Sequence, residues 1–148
     1  MRGGGAVSRV RVPMISDTGA ECLSSALQWL VGMEPVPCPE EQWTEDRVIE
    51  EVVTTKSSVV ALVMHAADYR NGVIHCGPQV ATALMACALA EKDYVFLVPL
   101  TVESQIAQQD EVKLVFPGGI TCPHPRGLFT SDIRIVCALV SRGMEVVP

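Results

Sequence analysis

The sequence predicts an α+β domain, with a helical N-terminal part followed by a sheet-rich C-terminal part; a three-layer α/β sandwich is the alternative. Three observations lead there. Two stretches in the first third carry helix-start signals ahead of apolar residues at helical spacing. A continuous β-branched run follows, from Ser58 to Met64. Three further apolar runs, each short enough for a strand, come after residue 90.

Taken in order, Val7 to Pro13 alternates apolar and polar residues and reads as a short strand. The first helix is expected from Thr18 to Val31. Thr18 can cap it, Glu21 completes a capping box, and Leu23, Ala26, Leu27 and Leu30 share one face. Gly32 ends it, and Pro35, Pro37 and Pro39 forbid its continuation. A second helix opens at Thr44, with Glu45 and Asp46 in its first turn and Trp43 placed to pack on Val48. Its apolar stripe is Val48, Ile49, Val52 and Val53. Ser58 to Met64 reads as a buried strand, and Tyr69-Arg70-Asn71-Gly72 as a turn. Val80 to Ala90 is apolar nearly all round, which predicts a buried helix. Tyr94 to Leu100, Val112 to Phe116 and Ile133 to Val140 read as strands. Gly118-Gly119 and Pro123 to Gly127 read as turns or loops.

At 148 residues the default is one domain spanning the chain. Apolar residues make up 49% and aromatics only 5%, so the core must come mainly from aliphatic side chains. A net charge of −6 argues against binding nucleic acid by phosphate neutralisation. Arg2, Arg9 and Arg11 come nearest to a basic cluster and read as a solubilising arm. No apolar run approaches the ~18 residues of a membrane span, and Gly3-Gly4-Gly5 stands where a signal peptide needs its apolar core. Cys22, Cys87 and Cys137 lie inside apolar runs, as free thiols do in a reducing compartment, cytoplasm or nucleus.

The segment Asp17-Thr18-Gly19-Ala20-Glu21-Cys22-Leu23-Ser24-Ser25-Ala26-Leu27-Gln28-Trp29-Leu30 places a cysteine one turn into the expected first helix. Amide groups and the positive end of a helix favour a thiolate there. The segment resembles the cysteine box of the ubiquitin-specific proteases and the cysteine helix of viral papain-like leader proteases. That resemblance implies a papain-like thiol hydrolase cleaving peptide or isopeptide bonds, with Cys22 as nucleophile. The base would be His124, with Asp132 as the orienting acid; His75, followed by Asp93, is the alternative. Asp17 occupies the lead-in position where the family carries an asparagine oxyanion donor.

No cofactor or metal is expected. Cys122 and His124, with His75 and Cys76, do not have the spacing of a zinc motif, and Gly118-Gly119 lacks the Lys-Ser/Thr of a phosphate cradle. The second functional reading is a non-catalytic protein-interaction or assembly domain, a degenerate relative of the protease fold. A mean hydropathy of +0.30 supports a buried partner surface and leaves homo-oligomerisation open. Either way the partner or substrate is a protein, not nucleic acid or membrane.

Overall fold

Strands β1 (Arg11–Ser16), β2 (Val36–Pro39), β3 (Val59–Val63), β6 (Asp93–Leu97) and β8 (Gly127–Thr130) form one sheet in the order β2-β1-β3-β6-β8. Every pairing in it is parallel. This is a computed structural model, and it describes residues 10–17, 35–40, 42–122 and 127–144. Parallel neighbours need crossover connections, and here helices supply them. Helix α1 (Glu45–Thr54) links β2 to β3, α2 (Pro78–Ala90) leads into β6, and α4 (Ile133–Met144) follows β8. A short α3 (Leu100–Ile106) follows β6. The connections also build a small second sheet, ordered β4-β5-β7. In it β4 (Tyr69–Arg70) and β5 (Val73–His75) form a hairpin, and β7 (Lys113–Val115) pairs parallel with β5. The expected turn at Asn71-Gly72 closes this hairpin with both residues at positive φ, +49° and +82°.

Side-chain alternation along each strand feeds two cores. Val12, Met14, Ala61, Val63, Val95 and Leu97 point to the face covered by α4, which supplies Ile133, Val136, Cys137 and Val140. Ile15, Val60, Leu62, Tyr94 and Phe96 point to the other face, against Val48 and Val52 of α1 and Val80, Ala83, Leu84 and Cys87 of α2. At the β6–β8 edge, Phe96 and Phe129 stack at 5.5 Å, and Tyr94 meets both rings edge-on. Gly127 lies against the Tyr94 ring so closely that a Cβ there would come within 2.1 Å of it. The opposite edge carries Pro37 and Pro39, whose missing amides leave β2 a poor template for a further strand.

This architecture is a doubly wound, Rossmann-like α/β fold, and it overturns the expected α+β division. Strands begin at the N-terminal end of the described chain and alternate with helices to its C-terminal end. The error has a physical source. Strands buried on both faces show no alternation in sequence, so the pattern hid the parallel sheet. Ile133 to Val140, expected as a strand, is the first part of α4. Its buried residues Ile133, Val136, Cys137 and Val140 recur at helical spacing, and the helix starts on Asp132, whose carbonyl accepts from Ile135 and Val136. The second expected helix is present as α1, with the Thr44 hydroxyl accepting from the Arg47 amide. The expected first helix, from Thr18 to Val31, falls outside the described residues.

The α4 assignment is testable at exposed Ala138. Ala138→Val should cost roughly half a kcal/mol in urea unfolding, because a β-branched side chain loses rotamer freedom in a helix. A gain in stability would instead fit a strand.

Candidate functional site

In doubly wound sheets, ligands bind beyond the carboxyl ends of the strands, where the strand order reverses. Here that point lies between β1 and β3. Asp17 leaves the end of β1 there, and His65 follows the end of β3. The Asp17 carboxylate is already engaged. One oxygen accepts the Gly77 amide at 2.9 Å, and the other accepts the Gln79 and Val80 amides at 2.7 and 3.2 Å. These are first-turn amides of α2, which have no partner within a helix. Pro78 at the helix start needs no such partner, and Gly77 offers no side-chain cap. Asp17 therefore caps α2 across about 60 residues of sequence, using both carboxylate oxygens as acceptors. Burial pushes its carboxyl above the ordinary 3.8, while the three amides pull it back down and nearby Asp68 adds a small rise. Asp68 itself accepts the His65 amide at 3.2 Å.

The close approach explains Gly77. A Cβ at that position would lie 2.5 Å from the Asp17 carboxyl carbon. The identity of Asp17 follows as well. An asparagine would turn an N–H₂ group toward one of the amide donors, so the position calls for a carboxylate. Asp17 thus marks a structural lock, where the resemblance had placed an oxyanion donor.

The remaining expected site residues separate. Cys22 and His124 lie outside the described residues. Asp132 sits at the start of α4, where it accepts from the Arg134 backbone amide and from two nitrogens of the Arg134 side chain at 2.9 and 3.0 Å. Those bonds hold its carboxyl below the ordinary value. His75 is exposed on β5, three residues before α2, and Asp93 opens β6, three residues after it. The length of α2, about 20 Å for a helix of 13 residues, lies between them, so they form no pair. Cys38, Cys76, Cys87, Cys122 and Cys137 are free thiols. Burial pushes Cys76, Cys87 and Cys137 up to about 12 and Cys38 up to about 11. None of these four carries the lowered value of a nucleophile. Among the described residues, no group of His, Cys, Asp and Glu side chains could hold a metal ion, and no helix is long and apolar enough to cross a membrane.

A different surface stands out. Helix α2 reads Pro-Gln-Val-Ala-Thr-Ala-Leu-Met-Ala-Cys-Ala-Leu-Ala, without one charged residue, yet only part of it is buried. Leu89 is 88% and Met85 51% exposed. Beside them on α1, Ile49 is 41% and Val53 58% exposed. Together with Thr82 and Glu45 these residues line a groove of about 500 Å³ between the two helices. The sequence predicts a fully buried helix here; the second side of α2 instead faces outward. Its one sequence signal was the lack of charge, which a buried helix shares.

No family model, curated protein or solved structure matches this chain.

Two measurements test the site. Asp17→Ala should cost about 2 kcal/mol by chemical unfolding, the scale of a lost buried cap, and Gly77→Ala a similar amount by crowding the carboxylate. Because both act through one contact, Gly77→Ala should cost far less in the Asp17→Ala background; simple additivity would contradict the lock. For the thiols, iodoacetamide should modify Cys76, Cys87 and Cys137 of the native protein at pH 8 at least ~100-fold more slowly than glutathione, with full labelling after denaturation. Rapid native labelling of Cys76 would reveal a thiolate at the end of β5.

Proposed function

We propose that this chain is a non-catalytic protein-interaction domain whose α1–α2 groove receives an amphipathic helix of a partner protein. The observation that carries this reading is the uncharged, half-exposed α2, with Met85 and Leu89 beside Ile49 and Val53 of α1. A contiguous apolar patch that lines a groove marks a contact site. A groove between two neighbouring helices accepts a third through interdigitating side-chain ridges. At 1.5 Å per residue, α1 and α2 offer about 15 to 20 Å, enough for three to four turns of the incoming helix.

Both walls are held in place before any partner arrives, which lowers the cost of binding. Trp43 of the α1 approach donates its indole N–H to the Met14 carbonyl of β1 at 3.0 Å. Asp17 holds the start of α2. At the far end the Lys92 ammonium donates to the Thr55 carbonyl at 2.7 Å and joins the two helix ends. The papain-like hydrolase expectation went with an α+β division of the chain, and the parallel sheet interleaved with helices replaces that division. A reducing compartment, cytoplasm or nucleus, suits the five cysteines of the described residues, all of them free thiols.

The test is fluorescence anisotropy with a synthetic 16-residue helical peptide, carrying leucines at i, i+3, i+4 and i+7 and glutamine or alanine elsewhere. The wild-type protein should bind it in preference to a scrambled peptide. Leu89→Glu should weaken binding at least ~10-fold with no change in thermal unfolding, because Leu89 is almost fully exposed. Equal binding by the variant, or no binding by wild type, would overturn the reading.

A further inference from the structure

The rim of the groove carries a sign. On α1, Glu45, Ile49 and Val53 repeat every fourth residue and line the groove. At 100° per residue, Asp46 and Glu50 fall on the solvent side of that stripe, next to Ile49 and Val53. Glu45, Asp46 and Glu50 are exposed. Arg47, the one basic residue of α1, points to the opposite flank. There it pairs with Glu40 at 3.5 Å and Glu51 at 3.7 Å, and its guanidinium lies 5.6 Å over the Trp43 ring. Its charge is spent away from the groove. The α2 wall contributes no charge. At the far end Lys92 is engaged with Thr55, which leaves Lys56 as the exposed cation beyond α1.

We infer that the groove selects a basic amphipathic helix, one whose leucine-type anchors enter between α1 and α2 and whose lysines or arginines flank them to meet Glu45, Asp46 and Glu50. This deepens the proposed interaction function and rests on it. The apolar floor supplies the affinity, and the acidic rim decides among partners and speeds their approach. A second copy of this chain fits poorly. It would bring its own Glu45, Asp46 and Glu50 toward these, in a molecule of net charge −6. Within the groove the exposed large apolar side chains are Ile49, Val53, Met85 and Leu89, a small patch for a stable dimer.

The test compares three 16-residue helical peptides that share the same leucine anchors and differ only in the polar face: lysine, glutamine or glutamate. With wild-type protein in 50 mM salt, the lysine peptide should bind at least ~10-fold more tightly than the glutamine peptide and the glutamate peptide most weakly, with the spread collapsing in 500 mM salt. Glu45→Lys with Glu50→Lys should reverse that order. Asp110→Lys with Glu111→Lys makes the same change in net charge at a remote exposed site, and it should leave the order intact. If all three peptides bind alike and Leu89→Glu abolishes each, the groove reading stands and the basic preference falls. If the remote pair reverses the order as well, the preference is a net-charge effect and the inference falls. If none binds, the groove reading falls with it. A dimer by light scattering that Leu89→Glu dissociates would replace the basic partner with a second copy.

Discussion

Three amides at the start of α2 converge on one carboxylate, and much of the molecule is arranged around that contact. Asp17 directly follows β1, the strand at which the sheet reverses its order, and its oxygens take the hydrogen bonds that α2 cannot satisfy within itself. The lock fixes α2 relative to the sheet although the two are far apart in sequence. It also demands a residue without a side chain at Gly77. β1 holds α1 through a second bond, from Trp43 to Met14. One strand thus anchors both walls of the groove, and Lys92 joins them at the other end.

That anchoring resolves an apparent conflict in α2. An uncharged helix with an exposed side would ordinarily bury that side by shifting or by self-association. Here the inward side of α2 is held by the core residues Val80, Ala83, Leu84 and Cys87, and its start is held by Asp17. Leu89 and Met85 therefore stay presented at the surface. The described cysteines with shifted values are raised by burial, and Asp132 is committed to Arg134. The apolar groove with its acidic rim lies apart from these groups, and it is the surface proposed to receive a partner.

Much of this fold was legible locally and little of it globally. Thr44, Glu45 and Asp46 announce α1, and the β-branched run at Val59–Val63 announces β3, because caps and propensities act over a few residues. The parallel order was hidden because β3 and β6 are buried on both faces and carry no alternation. In α4, Ile133, Ile135 and Val136 gave a β-branched signal that the helical spacing of the buried residues overrode. Asp17 was visible as a carboxylate, but its role depends on Gly77 to Val80 arriving from a distant part of the chain. The groove was hidden for a related reason. A sequence without charge fits a buried helix and a docking helix alike, and only the packing of α1 beside α2 separates them.

Native-state hydrogen exchange at the first turn of α2 reads the Asp17 lock amide by amide. If Asp17 accepts the Gln79 and Val80 amides, both should be protected in the wild-type protein, although first-turn amides of a helix ordinarily exchange freely. Asp17→Ala should release these two selectively while the amides at the centre of α2 stay protected. Free exchange of Gln79 and Val80 in the wild-type protein would contradict the lock, and with it the account of how the groove is held open.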